Sequence, residues 1–352
     1  MTTATGPGTP AVAHGERIGL THGAGGRAMR RLITETLARG FLAPVANGIG
    51  LAAMDDGAAI RLGDGWLVVA TDAHVVQPIF FPGGDIGRLA IAGTVNDLAM
   101  MGATEPLGIA CAVVVEDGFP RADLERIQQS MAEACRDAGA TIVTGDTKVM
   151  GRGELDGIVI TTTGVAMALR IVPDAGLRPG DRIVLTGSIG DHGIALMARR
   201  HGLERDGDVQ SDVAPLNALI RRALFAGDLG ITAMKDPTRG GLASALNEMA
   251  EKSQVGIVIR EPDVPIRPAV RAAAEVLGLD PFQIANEGKA VIGVHWEAVD
   301  PVLAALRSHP LGQEATVVGE CIPQHVGRVI LDTGIGRRLL TEAEGLLLPR
   351  IC

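Results

Sequence analysis

At 352 residues the chain is too long for one ordinary core and suits two domains of ordinary size. Hydrophobic residues make up 47% and charged residues 21%, and with no tyrosine and only 2% aromatics, Val, Ile, Leu, Ala and Met must build a sizeable interior. Scarce aromatics argue against a platform for single-stranded bases, and a net charge of −9 without a basic block argues against nucleic-acid binding.

The opening residues 1–16, "MTTATGPGTPAVAHGE", lack the basic and apolar regions of a secretory signal and read as a disordered lead-in. No stretch approaches the roughly 20 apolar residues that cross a bilayer, so a cytoplasmic protein without membrane contact is expected. A helix follows Gly26 through "RAMRRLITETLARGF". Turn signals then lead to a strand "WLVVATDA", a helix from Asp85 to about Met101, and a strand "LGIACAVVVE". The amphipathic helix "RADLERIQQSMAEACRDAG" precedes strands "ATIVTGDT" and "GIVITTTGVAMA". This mixture predicts an α+β layer domain. Pro/Gly punctuation in "RIVPDAGLRPG" places a boundary near residues 170–178, and "LRPGDRIVLTGSIGDHGIALMARR" starts afresh with a turn, a strand, a Gly-rich bend and a helix. The second half ends on the strand "GRVILDTG", with only a short tail after it.

Four cysteines, Cys111, Cys135, Cys321 and Cys352, form no CxxC pair and no His/Cys cluster of zinc spacing. The first three sit in apolar runs and are expected in the core. Cys352 occupies the last position, where nothing is expected to pack over it, and needs another reason.

Asp55 and Asp56 precede Gly57, Asp72 follows "WLVVAT", and Asp146 follows "TIVTG". Singly, each reads more readily as a solvated turn acid than as a ligand. Asp97 differs. At about 100° per residue, Ile86, Ala90, Gly93 and Asp97 share one helix face, which sets a carboxylate on the apolar stripe beside a glycine that leaves room. A buried charge needs a partner, and oxygen ligands without a Cys/His cluster suit Mg²⁺. "KDPTRGGLASALNEMAE" sets Asp236, Thr238 and two glycines ahead of a helix whose inner stripe is Leu242, Leu246 and Met249. That helix start is either an anion site or simply capped by Asp236 or Thr238, and the sequence leaves both open.

"GAGGRA", Gly23 to Ala28, matches GxGxxG/A, but the strands a dinucleotide fold needs around it are poor. A flexible glycine loop over a nucleotide fits better than a Rossmann turn. The absence of GxxxxGK[ST] excludes a P-loop.

The stretches "HGAGGR", "MDDGAA", "TDAHVVQPIFFPGGDIGRLAIAGTVNDLAMMGA", "TGDTKV", "DPTRGGLASALNEMA", "ANEGK" and the final "PRIC" are similar in type and order to those of the HypE family of hydrogenase-maturation proteins. The resemblance runs from about His22 to the last residue. The middle motifs are shared across the ATP-using superfamily of aminoimidazole ribonucleotide synthetase, selenophosphate synthetase and thiamine-monophosphate kinase, while the long central motif with a terminal "PRIC" is more specific to HypE.

The resemblance implies an α+β, two-domain fold like that of aminoimidazole ribonucleotide synthetase, with N-terminal domains pairing into a dimeric β-barrel. Residues 17–172 would bind ATP and dimerise, 173–340 would form a C-terminal α/β domain, and 341–352 would be a mobile tail ending in a carrier cysteine. ATP and Mg²⁺ would lie in the cleft, with Asp56, Asp72, Asp97, Asp146 and Asp236 as the metal and phosphate group. His22, Gly25, Gly26, Thr238 and Gly240 would lie along the nucleotide, and His74 is expected near it. The implied reaction is ATP-dependent dehydration of a carbamoyl group on Cys352 to an S-cyano group, which supplies the cyanide ligands of the [NiFe]-hydrogenase iron. A HypF-type carbamoyltransferase would load the thiol, and a HypC–HypD-type iron-scaffold complex would take the cyanide.

Turning S–C(=O)NH₂ into S–C≡N requires the oxygen to leave, and phosphorylation by ATP makes it a leaving group. Two N–H protons must also go, which calls for a base. Glu287 in "ANEGK" is the expected base, its pKa raised by burial, and Lys148 in "GDTKV" the expected stabiliser of developing phosphate or imidate-like oxygen. Asp97 would ligate metal or join the proton relay. A tail of residues 341–352 can span roughly 35–40 Å, enough for a thiol that must visit more than one site. The rival readings are a superfamily kinase or synthetase with an incidental tail, a non-catalytic carrier, and a Rossmann oxidoreductase.

Overall fold

The structure, a computed structural model, describes residues 17–23, 25–43, 45–202, 209–342 and 350–352. The expected lead-in, residues 1–16, and residues 343–349 of the expected tail lie outside the described residues.

The first half runs α1 (Gly26–Leu32), β1 (Ala58–Leu62), β2 (Gly65–His74), β3 (Phe80–Phe81), β4 (Gly84–Asp85), α2 (Ile86–Met100), β5 (Pro106–Glu116), α3 (Arg121–Ala138), β6 (Ile142–Met150) and β7 (Ile158–Ala168). The second runs β8 (Arg182–Leu185), α4 (Asp191–His201), α5 (Asn217–Gly227), β9 (Ile231–Lys235), α6 (Gly241–Ser253), β10 (Gly256–Arg260), α7 (Pro268–Leu277), β11 (Val291–Val294), α8 (Val299–Arg307), β12 (Thr316–Ile322), β13 (Val329–Asp332) and β14 (Arg337–Leu339).

In the first half a five-stranded sheet is ordered β1-β2-β7-β5-β6. Its pairs are antiparallel except β5–β6, which need the crossover that α3 provides. Among the described residues the sheet is open and closes into no barrel. Among the described residues β6 pairs with no strand but β5, and it is exposed from Ile142 to Val149, apolar residues included. The second sheet is ordered β14-β13-β10-β12-β8-β11-β9, with β10–β13 as its parallel pair. β14 is a correction to the expectation of only a tail after "GRVILDTG". Asp332 Oδ1 accepts from Gly334 N at 3.0 Å, and the resulting turn brings Arg337–Leu339 back onto β13.

α2 is apolar nearly all round and is accordingly buried on nearly every face. Asp85 starts it by accepting from Arg88 N at 2.9 Å. One side of α2 packs on β2 and β7 of the first sheet. Its end, through Ala99 and Met100, shares a core with Val184, Leu216 and Ile292 of the second half. Ile86, Leu89 and Ile127 likewise share a core with Ile194, Val270 and Ile284. The two sheets are therefore joined by common interiors as well as by residues 169–181. Cys111, Cys135 and Cys321 are buried, as their apolar surroundings predicted. Among the described residues no helix is long and apolar enough to cross a membrane.

Candidate active site

Between the two sheets, β2 and α2 form one wall. Alternate residues of a strand share a face, so Asp72 and His74 project together, with His74 Nε2 3.1 Å from Asp72 Oδ2. α2 crosses them at Gly93, where a β-carbon would lie 2.8 Å from His74 Nε2 and 3.2 Å from Asp72 Oδ2. One turn further on stands Asp97, on the face that helical arithmetic gave it. Burial opposes ionisation of Asp72, but the adjoining His74, its hydrogen bond and Arg239 outweigh it and hold the carboxyl at about 2. Asp97 goes the other way: burial, then Asp236, Asp72 and Asp56, push it well above the usual range against the pull of Lys235. Burial and Asp56 likewise push Asp236 up to about 8, and burial with Asp174 and Asp56 pushes Asp55 to about 7.

A largely covered lysine pins this acidic group from below. Lys235, at the end of β9, pairs with Asp56 and lies 3.7 Å from Asp174 and 3.6 Å from Glu248. Lys252 reaches Asp174 and Met54 O, both at 2.6 Å, and so fixes the loop that presents Asp55 and Asp56. Sequence reasoning missed Lys235, Asp174 and Lys252. Only the position of Lys235, directly before Asp236, hinted at a role.

Asp56, Asp72, Asp97 and Asp236 thus gather, whereas Asp146 does not. Asp146 and Lys148 lie on exposed β6 and pair with each other at 2.8 Å, Lys148 holding the Asp146 carboxyl low. Within one chain, neither joins the cleft, because β6 is the far edge of the sheet. Among the described residues no group of three or more His, Cys, Asp or Glu is arranged to hold a metal unaided. The donor set nonetheless fits a hard divalent cation. It is all oxygen, its carboxylates repel one another, and Asp56 Oδ2 is buried without a partner among the described residues. Mg²⁺ habitually takes phosphate oxygens and water to complete such a set.

The opposite wall is the turn into α6. Gly240, at φ 79°, is the residue before the helix, and no side chain caps it, which removes the capping alternative for Asp236 and Thr238. Thr238 supplies its carbonyl to Gly241 N at 2.9 Å. Gly25, at φ 82°, presses on this turn: a β-carbon there would lie 3.0 Å from Arg239 Cβ and 3.2 Å from Arg239 O. The glycine loop and the α6 turn therefore meet. Gly26 opens α1, while His22 is half-buried and, among the described residues, bonds within its own turn, Gly19 N donating to its Nδ1 at 3.1 Å.

Glu287 closes the site. Its N–H donates to Asp212 Oδ1 at 3.0 Å and its carbonyl accepts from Asn96 Nδ2 at 3.2 Å, so the loop ahead of β11 is tied to both halves. The residue is only 4% exposed, and Oε1 has no partner among the described residues. Burial, followed by Asp236, Asp72 and Asp212, pushes the carboxyl well above its ordinary value against Arg239. The Cys352 thiol lies within electrostatic reach of it. Burial raises that thiol too, Arg239 pulling the other way. One expectation is corrected here: Cys352 is half-covered, and residues 350–352 lie in the cleft, with Ile351 buried in the same apolar cluster as Phe81 and Ile284. Arg239, which touches this whole constellation electrostatically, was also missed.

Family models of the AIR synthase related proteins match the chain twice, the N-terminal domain over residues 54–168 and the C-terminal domain over residues 178–332. Carbamoyl dehydratase HypE of Rhizobium leguminosarum bv. viciae is 48% identical over 97% of this chain and 96% of its own. A chain in a crystal structure of a HypE–HypF complex is 40% identical with a TM-score of 0.82, covering 89% of this chain and 99% of that one. The hydrogenase maturation protein HypE in complex with ATP is 42% identical with a TM-score of 0.79, over 95% of this chain and 99% of that one.

Proposed function

The chain belongs to the carbamoyl dehydratase HypE family of AIR synthase related proteins, and from that membership we propose that it dehydrates a carbamoyl group carried on Cys352, using ATP, in hydrogenase maturation. The observation that carries the reading is the half-covered Cys352 thiol within electrostatic reach of Glu287, Arg239 and Asp72, beside a cluster of carboxylates. A kinase with an incidental tail has no use for that placement.

In this reading the carbonyl oxygen of S–C(=O)NH₂ attacks the γ-phosphorus of ATP and ADP leaves. One N–H proton is lost as the C=N bond forms. Phosphate then departs with the second N–H proton removed, leaving S–C≡N, so that the oxygen ends in phosphate. Glu287 would take the nitrogen-bound protons, and Arg239 would favour its ionised form and steady negative charge on the oxygen. Asp56, Asp72, Asp97 and Asp236 would hold Mg²⁺, which supplies charge neutralisation on the transferred phosphoryl group. The uncapped N–H groups opening α6, with Gly240 before them, suit the phosphates, and Gly25 and Gly26 bring the glycine loop over them. His22 would lie at the rim of the nucleotide.

Asp146 and Lys148 take part in this reading only through a second copy. The exposed face and edge of the first sheet carry Leu107, Val143 and Val149 at 63%, 63% and 70% exposure, an apolar surface that favours pairing. We place there a homodimer whose joined sheets form the β-barrel, with Lys148 of one protomer reaching the cleft of the other. The division into 17–172, 173–340 and a tail from 341 follows the same reading. A HypF-type carbamoyltransferase as donor is supported by the relative's complex. The HypC–HypD-type acceptor and a cytoplasmic setting come with the family.

The test is mass spectrometric. Carbamoylated protein given MgATP should lose one water, mapped to the peptide containing Cys352, and Cys352→Ala should accept no carbamoyl group. A loaded thiol that never loses water in MgATP would end the proposal.

A further inference from the structure

The last described residues lie in a cradle whose polar contacts go to their backbone. Gln77 N donates to Arg350 O at 3.2 Å, and Arg200 Nη2 donates to the same oxygen at 2.6 Å. His192 Nε2 donates to Ile351 O at 2.8 Å. Each donor is itself fixed. Arg200 Nε donates to Gln77 O at 2.6 Å, and the Ser211 hydroxyl donates to His192 Nδ1 at 2.7 Å, which leaves the hydrogen of a neutral ring on Nε2. Phe81 meets that ring edge-on, with centroids 5.4 Å apart. Ile351 is buried among apolar neighbours, and Arg350 pairs with Asp156.

A fully buried histidine and a guanidinium are thus both turned toward the carbonyls of a short segment, and neither takes part in the carboxylate cluster. Two carbonyls held by three donors fix the segment along its length, and the buried Ile351 side chain fixes its rotation. The residue after Ile351 is thereby held half-covered, within electrostatic reach of Glu287 and Arg239. Backbone recognition of this kind suits a ligand that must arrive repeatedly in one register.

We infer that Gln77, His192 and Arg200 form a docking site for an extended peptide ending in Ile-Cys, that its ligand is this chain's own residues 350–352, and that this site, separate from the groups that do the chemistry, sets how long Cys352 stays at Glu287. The inference deepens the proposed function and rests on it for the purpose of docking, while the docking is measured without turnover. His192 and Arg200 are positioning residues here.

The full-length protein, without nucleotide, would be treated with iodoacetamide and the labelled thiols counted by mass spectrometry. Cys111, Cys135 and Cys321 are buried, so their staying unlabelled reports an intact fold. Cys352 should label slowly in the unaltered chain and about tenfold faster in Arg200→Ala, the factor that losing about 1.4 kcal/mol of charge-assisted hydrogen bonding corresponds to. Arg200→Lys, which keeps one donor, should fall between. A hexapeptide copying residues 347–352, with serine at its last position, should speed labelling of the unaltered chain by displacing the segment. It should leave the Arg200→Ala rate where it was. Equal rates in the unaltered chain and Arg200→Ala, with the peptide inert, overturn the docking site. Labelling that shifts as expected in a protein that never dehydrates a carbamoyl group would sink the proposed function and leave the docking site standing.

Discussion

Glu287 and Asp236 are carboxyls whose surroundings, not whose identity, make them useful. Glu287→Gln keeps the shape but cannot take a proton, so carbamoyl loading of Cys352 should persist while dehydration falls about 10²–10⁴-fold, read as accumulation of the unchanged carbamoyl adduct. Asp236 gives a pH signature. Its folded value of about 8 lies above the 3.8 of an unconstrained carboxyl, so the native state holds a proton that the unfolded chain releases. That contribution is complete below about pH 4 and is lost as pH rises through 8, with a slope of at most about 1.4 kcal/mol per pH unit. Asp55, at about 7, acts in the same direction. Melting temperature measured in chelator without nucleotide should therefore fall from pH 6 to 8.5, and Asp236→Asn should flatten the fall. Asp97 was legible in the sequence because a helix has a period that assigns it a face. Lys235 and Arg239 were not, because a lone cation at a strand end or in a turn carries no period that says where it points.

The elements that read well were those long enough to repeat their pattern, such as the strand at Gly65–His74 and the helix at Arg121–Ala138. β14, three residues long, has no pattern to repeat. β6 was read correctly as a strand, yet its isolation at the sheet edge is a property of topology that no local window contains. The place of residues 350–352 was illegible for a different reason: they are held largely by carbonyl oxygens, which every residue possesses. α2 shows the tightest fit between element and site. Gly93→Ala would drive a β-carbon into His74 and Asp72, so it should cost about 1–3 kcal/mol in denaturant unfolding and weaken nucleotide binding measured by calorimetry. The root of the tail segment is also anchored by an element: Arg30 of α1 reaches Glu342 at 2.5 Å, beside the glycine loop that α1 continues.

For the whole molecule, the proposed pairing through β6 makes two measurable statements. Val149→Glu should shift the protein from dimer to monomer in sedimentation, since it puts charge on the apolar edge. Mixing inactive Lys148→Ala with inactive Glu287→Gln protein should restore activity to about a quarter of normal, because random exchange makes half the dimers mixed and each of those holds one intact site. No recovery after verified subunit exchange would mean that Lys148 does not work across the interface.

The interiors shared by both halves carry a consequence for synthesis. A nascent chain that has reached residue 170 holds α2 with Met100 and Ala99 still waiting for Val184 and Ile292, which the ribosome has not yet made. Such a half should be a chaperone client, sticky and short-lived, and two fragments cut at that joint and expressed apart should aggregate before they can meet.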